Sequence, residues 1–252
     1  MPPCVVEFRN VKKAFGATVV LDGLSLSVER GKITTIIGQS GVGKSVLLRH
    51  IAGLLLPDSG EVLFCGVNVL RMTREDRRQF KSRFSFMFQN MALFDSLNIY
   101  RNIAMPLEER GDFSTEEIRK RVVRQIEELD LRDVLDKYPS QISGGMRKRV
   151  ALARALITEP ELILFDEPAT GLDPIRKNSV HNMILRYQRL HGFTAIMVSH
   201  EIPEVFSISH RVAVLDEGRI IHECAGDEIQ GSQNRRVQQL IQGKENEADI
   251  VL

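Results

Sequence analysis

The chain has 252 residues, 43% hydrophobic and 27% charged, a balance suited to one large or two small globular folding units with a sizeable core. Its 34 Lys and Arg nearly cancel 33 Asp and Glu, and a net charge of +1 argues against a nucleic-acid binder that works by neutralising phosphates. The three cysteines, Cys4, Cys65 and Cys224, form no CxxC pair, which argues against a disulfide framework or a zinc site and for a reducing compartment.

The opening residues Met1-Pro2-Pro3-Cys4-Val5 lack the basic-then-apolar order of a secretory signal. No apolar run approaches the ~20 residues needed to cross a bilayer, so any membrane connection is expected through a partner. Segments 5–8 and 24–28 alternate partially and are predicted strands, separated by turn residues at Gly16, Asp22-Gly23 and Arg30-Gly31. The β-branched run 33–37 is a predicted buried strand that stops at Gly38. Residues 45–56 read as a helix ending before the turn cluster Pro57-Asp58-Ser59-Gly60.

From about 73 to 157 the signal is helical. Ser114 and Glu117 have the spacing of a capping box, and Ile118, Val122, Ile126 and Leu129 then share one helical face. A further helix is predicted to start at Ser143 and run through Val150, Ala153 and Ile157. Beyond Pro160, segments 162–165, 194–198 and 211–215 read as strands, and the last turns at Asp216-Glu217-Gly218 into 219–222 as a hairpin. The polar end carries a modest stripe of Val237, Leu240 and Ile241, and 244–249 is predicted to be a frayed tail. This order implies an α/β protein whose mostly parallel sheet is interrupted by a helical subdomain.

Gly38-Gln39-Ser40-Gly41-Val42-Gly43-Lys44-Ser45 matches G-x-x-x-x-G-K-[ST] at every fixed position, after a predicted strand and at the start of a predicted helix. Glycines let the backbone wrap an anion so that amide groups converge on the β-phosphate. Lys44 supplies charge to the β and γ groups, and the Ser45 hydroxyl is a candidate Mg²⁺ ligand. Gly38, Ser40, Gly41, Val42, Gly43, Lys44, Ser45 and the adjoining Val46 are thus candidate ATP contacts. A chance glycine turn before Lys-Ser is the plainer alternative, disfavoured by the strand–loop–helix context. Leu162-Ile163-Leu164-Phe165-Asp166-Glu167 brings two acids to the carboxyl end of a strand, where open α/β sheets bind ligands. Asp166 is the candidate holder of the Mg²⁺ water shell, and Glu167 the candidate general base for attack on the γ-phosphate.

With these two elements in place, the sequence resembles the ATP-binding subunit of ABC transporters. Ile142-Ser143-Gly144-Gly145-Met146 resembles the family's L-S-G-G-Q signature, Gln89 its Q-loop, Thr170-Gly171-Leu172-Asp173 its D-loop and Ser199-His200 its switch histidine. The likeness runs from about residue 5 to 221. It implies a P-loop NTPase (RecA-like) core of residues 1–89 and 158–230 with an N-terminal antiparallel β region. A helical subdomain, 90–157, is inserted in one ABC domain of residues 1–235, followed by a tail, 236–252.

The resemblance further implies that two copies sandwich two ATP molecules, with Ser143, Gly144, Gly145 and Asp173 of each copy contributing to nucleotide held by the other. It gives His200 a γ-phosphate contact that aligns Glu167 and water, and gives Gln89 a Mg²⁺- and water-sensing role. Phe15 is the candidate adenine stacker, or else a core strand residue. Ser143 is independently a good N-cap, and Gly144 and Gly145 leave bare amides at a helix N-terminus. Arg147, Lys148 and Arg149 oppose the dipole there, eased either by a bound triphosphate or by solvent and acidic neighbours. Ile142 and Met146 depart from the usual Leu and Gln, and Met146 loses an amide available for hydrogen bonding across the dimer. The groups facing phosphate are intact, so activity is expected.

Phe88-Gln89-Asn90-Met91-Ala92-Leu93-Phe94, Gly171-Leu172-Asp173-Pro174-Ile175, Ser199-His200-Glu201-Ile202-Pro203-Glu204-Val205 and Arg236-Val237-Gln238-Gln239-Leu240-Ile241-Gln242-Gly243 are similar to the ATPases of Mla-type phospholipid transporters. That implies a homodimer at the cytoplasmic face of the inner membrane, peripheral, under two transmembrane permease subunits, with an MCE-domain lipid-binding protein in the complex. It leaves open a small regulatory subunit. Met91, Leu93, Phe94 and Leu97 are the expected docking surface for a permease helix, or pack inside the helical subdomain. A small-solute (osmoprotectant-type) importer ATPase is the nearest alternative. A soluble ABC ATPase acting on nucleic acid or ribosomes, and a non-catalytic nucleotide-binding subunit, are alternatives of other classes.

Overall fold

A computed structural model describes residues 4–243; the expected frayed stretch 244–249 lies outside the described residues. The chain divides into two compact units, Met1–Thr73 with Thr194–Leu252, and Arg74–Phe193.

The first unit opens with β1 (Cys4–Phe15) and β2 (Thr18–Glu29), an antiparallel pair far longer than the short segments that alternation predicts. The register shifts between Phe8 and Val11 and again between Lys13 and Ala14, and Asn10 turns through φ +49°. Such bulges add an unpaired residue and reset which face a side chain takes, so a strict period of two is lost while pairing continues. β3 (Ile33–Ile37) is buried at every position and runs into the loop before α1 (Lys44–Ile51). This helix stops short of residue 56. Gly53 turns to φ +67°, and the amides of Leu54 and Leu55 both donate back to the Arg49 carbonyl, closing the helix early. β4 (Ser59–Phe64) and β5 (Val67–Asn68) complete an antiparallel sheet in the order β2-β1-β4-β5.

The second unit contains α2 (Arg74–Arg83), β6 (Phe84–Met87), α3 (Ile99–Arg110), α4 (Thr115–Glu128), α5 (Gly144–Leu156), β7 (Leu162–Asp166) and α6 (Pro174–His191). The expectation of unbroken helical signal from 73 to 157 fails at β6, which pairs in parallel with β7. α4 begins with the expected capping box: Ser114 Oγ accepts from the Glu117 amide, and the Glu117 carboxylate accepts from the Ser114 amide. Ile118, Val122 and Ile126 are buried on one face of α4, and Leu129 is buried at its C-cap.

The first unit resumes with β8 (Thr194–Ser199), β9 (Arg211–Asp216), β10 (Arg219–Ala225) and α7 (Arg235–Ile241). β3 lies between β8 and β9, parallel to both, and β10 closes the expected hairpin against β9. Val237 anchors α7 with its side chain fully buried. The expected α/β class, with a parallel core and an N-terminal antiparallel sheet, is what the chain adopts.

Candidate active site

In the first unit, β3 delivers the chain into residues 38–43 with no side chain at either crowded point. A Cβ on Gly38 would stand 2.4 Å from the Leu215 carbonyl oxygen, and one on Gly43 would stand 2.7 Å from Val20 Cγ1. Gly43 also sits at φ +107°, a backbone state that L side chains avoid. Gly43 is the N-cap of α1 and offers no side-chain acceptor to the first-turn amides, and that turn contains no acidic residue. An amide-lined, acid-free helix start is what a phosphate chain fits. Lys44 is buried, its Nζ donating to the carbonyls of Gly38 and Gln39 at 2.8 Å each, so the ammonium is drawn back across the mouth of the loop. Ser45 and Val46 follow on the first turn, both half-buried.

His200 leaves the end of β8 exposed, directly after the fully buried Ser199. Phe15, at the end of β1, is 49% exposed, with Lys13 Nζ 5.5 Å from its ring centre, so it is not a core strand residue.

In the second unit, β7 buries Leu162 to Phe165 and then presents Asp166 and Glu167, both half-buried. Glu167 holds φ +49°, a left-handed backbone state uncommon for a side chain of this size. Its Oε2 accepts from Gln89 Nε2 at 3.0 Å and from Thr170 Oγ1 at 3.2 Å. Two residues named separately by motif, Gln89 and Glu167, thus meet, and Thr170 is added to them.

α5 starts at the signature-like segment. Ser143 Oγ accepts from the Met146 amide at 3.3 Å, and Gly144 and Gly145 stand in the first turn with no acidic neighbour there. The three cations behind them are accounted for within this unit. Arg147 donates to the Pro139 and Ile142 carbonyls, buried Lys148 to those of Pro168 and Thr170, and Arg149 lies 3.8 Å from Asp130. Asp173 caps α6, accepting from the Arg176 amide at 3.0 Å. Pro174 fills the first helical position.

The sequence reading missed the side chains that shape the segment after Gln89. Asn102 is fully buried: its Oδ1 accepts from the Phe94 amide, and its Nδ2 donates to the carbonyls of Phe94, Leu97 and Asn98. Arg154 donates to the carbonyls of Met91 and Ala92. Around these anchors Phe94 is 46% exposed and Met91, Leu93 and Leu97 are half-buried, so the apolar turn is partly packed and partly presented.

The first unit holds an amide-lined, acid-free loop at a helix start, and the second, described by itself, an oriented carboxylate at a strand end. In class, the protein is an ATP-binding cassette. A family model described as ABC transporter matches residues 21–170, and the chain belongs to that family. It is 39% identical over 239 residues to the intermembrane phospholipid transport system ATP-binding protein MlaF of Escherichia coli strain K12, covering 95% of this chain and 89% of that protein. Among solved structures, cbiO1 from Clostridium perfringens, part of the ABC transporter complex cbiONQ, matches with a TM-score of 0.84 at 28% identity over 92% of each chain. A dimeric post-hydrolysis state of the ATP-binding cassette MJ0796, bound to ADP and Pi, matches with a TM-score of 0.77 at 30% identity, over 87% of this chain and 98% of that one.

Proposed function

We propose that this ABC ATPase powers a phospholipid transporter, working as a homodimer on the cytoplasmic face of the membrane beneath two permease subunits, in a complex with an MCE-domain lipid-binding protein. The observation that carries the lipid reading is the likeness to the phospholipid-system protein across nearly the whole chain. Among the described residues no helix is long and apolar enough to cross a membrane. Met91, Leu93, Phe94 and Leu97 are the surface we assign to a permease helix. The same reading leaves open a small regulatory subunit on the dimer.

The roles follow the chemistry of each group. Amides of 38–46 with Lys44 bind the phosphates, Phe15 stacks on adenine, and Ser143, Gly144, Gly145 and Asp173 close over nucleotide held by the second copy. Glu167 takes the proton of the attacking water, Gln89 orients that carboxylate, and His200 contacts the γ-phosphate. Ser45, Asp166 and Gln89 would hold Mg²⁺, which when bound neutralises charge on the phosphates. Nucleotide that fits the closed dimer better than the open one drives closure, and its hydrolysis releases it. The domain reading keeps a RecA-like core of 1–89 and 158–230 around a helical subdomain, 90–157.

The test is affinity purification of the complex from membranes, followed by mass spectrometry of its subunits and bound lipids. Phospholipid together with an MCE-domain subunit supports the reading. A solute-binding protein without lipid replaces it with the importer reading.

A further inference from the structure

Past Gln89 the chain turns through two consecutive left-handed residues that carry side chains, Met91 at φ +63° and Ala92 at φ +45°. Such residues persist where surrounding structure over-determines them. The Met91 amide donates to the Phe88 carbonyl at 2.8 Å, and one side chain holds both turn carbonyls: Arg154 Nη2 donates to that of Met91 at 2.7 Å, and Nη1 to that of Ala92 at 2.8 Å. A planar guanidinium reaches the two carbonyls from two nitrogens of one rigid fork and so fixes their relative placement, where an ammonium offers a point charge on a flexible stem. Arg154 stands near the end of α5 among buried Val150, Ala151, Leu152, Ala153, Ala155 and Leu156. Burial pulls its pKa below the usual arginine value, with no acid among the causes.

Nearer the start of the same helix, Lys148 is 3% exposed and donates to the carbonyls of Pro168 and Thr170 at 2.6 and 2.8 Å. Pro168 follows directly on Glu167, and Thr170, three residues after it, also bonds the Glu167 carboxylate. Lys148 and Arg154 are six residues apart, so they leave α5 in different directions and about 9 Å apart along its axis. The contacts close on themselves. Gln89 bonds Glu167, the segment after Glu167 is held by Lys148, α5 carries Lys148 and Arg154, and Arg154 holds the turn that follows Gln89.

We propose that α5 is the strut that sets the Gln89–Glu167 contact, with Arg154 and Lys148 as positioning residues that fix the turn after Gln89 and the segment after Glu167 to one rigid helix. This rests on the reading of Glu167 and Gln89 as catalytic. Because α5 begins at the Ser143 cap, a ligand held there acts on both segments through the same helix.

The experiment is steady-state ATPase kinetics of the purified full chain as wild type, Arg154→Lys, Lys148→Gln, the double variant and Glu167→Gln, with folding checked by circular dichroism and hydrogen exchange read at residues 91–94. Arg154→Lys keeps the charge and loses the fork. It is expected to lower kcat about tenfold, toward the hundredfold that small misplacements of catalytic groups cost, with KM for ATP unchanged. Exchange at 91–94 rises at the same time. Lys148→Gln lowers kcat in the same way, and the double variant loses less than the product of the single losses, because one break already opens the ring. Arg154→Met, if it folds, lies below Arg154→Lys in kcat. Unchanged kcat in the folded single variants, a matching rise in KM, or strict multiplicativity overturns the strut. Wild-type turnover in Glu167→Gln overturns the catalytic reading itself, so the two failures are distinct.

Discussion

Gln89 Nε2 donates to Glu167 Oε2 at 3.0 Å across 78 positions of sequence, joining the second residue after β6 to the first residue after β7. The pairing of β6 with β7 is parallel, with Met87 opposite Phe165, so both strands release the chain at the same end. A motif residue on a loop and a motif residue at a strand end are thereby brought together by strand register.

Glu167→Gln tests the consequence. The carboxamide keeps the size of the side chain and removes the basic oxygen, so if Glu167 is the proposed base the proton of the attacking water loses its acceptor. Turnover is expected to fall by about 10²–10⁴, the usual worth of a positioned base, while ATP affinity stays near wild type. Phosphate release beside a nucleotide-binding titration measures both. Full turnover in this variant assigns the base elsewhere.

The phosphate loop makes a second test from its glycines. A Cβ on Gly43 meets Val20 Cγ1 at 2.7 Å and the Val20 carbonyl oxygen at 3.3 Å, and the backbone there is at φ +107°. At Gly41 the backbone is at φ +80° and nothing lies within 4 Å. Gly43→Ala therefore carries both strain and a clash with a stiff β-branched side chain, and about 1–3 kcal/mol of destabilisation is expected. Gly41→Ala carries strain alone. Urea unfolding of both variants is expected to rank Gly43→Ala as the less stable, and equal midpoints would contradict the crowding.

Much of this site was legible before the fold was known. The phosphate loop, the strand ending in Asp166-Glu167, the Ser143 cap and the Ser114 capping box each leave side chains or glycines at fixed spacing, and each forms as expected. What was illegible has a common cause. Arg154, Lys148 and Asn102 act on backbone carbonyls, which every residue has and no spacing advertises. Arg154 left one hint, as a cation in an otherwise apolar helical run. β6 is short, sits between the charged α2 and a loop, and among the described residues pairs with β7 alone, far along the chain. In β1 and β2 the bulges scrambled the alternation that would have marked twelve-residue strands.

β2 also supplies a pH-dependent contact. Asp22 is bonded by Arg219 and by Lys12, and these bonds hold its carboxyl at about 2, below the ordinary 3.8. The Asp22 amide also donates to the Gly218 carbonyl, and Val20, two residues back, is the side chain against Gly43. A depressed acid contributes stability that is complete above its unfolded pKa and lost as pH falls through the folded one. The melting-temperature gap between wild type and Asp22→Asn is thus expected to be constant from about pH 5 to 8 and to close between about pH 4 and 2. Salt narrows the gap because both cations are exposed. A gap that is unchanged down to about pH 2 would mean the ion pairs do not carry it.

Gly145 separates what α5 needs from what a partner needs. It stands in the first turn of α5, its backbone is not in the left-handed region, and a Cβ there would meet nothing within 4 Å. Alanine is the better helix former by about 0.5–1 kcal/mol, so within one chain Gly145→Ala is expected to be neutral or stabilising. If the bare amides of Ser143-Gly144-Gly145 close over nucleotide on a second copy, the added methyl intrudes on that contact alone. The expected result is an unchanged or raised melting temperature, unchanged ATP binding to the monomer, and loss of the ATP-induced dimer when paired with Glu167→Gln. Sedimentation with and without ATP reads the dimer directly. An intact dimer in Gly145→Ala would mean that this helix start, although built for an anion, is not where the second copy's nucleotide sits.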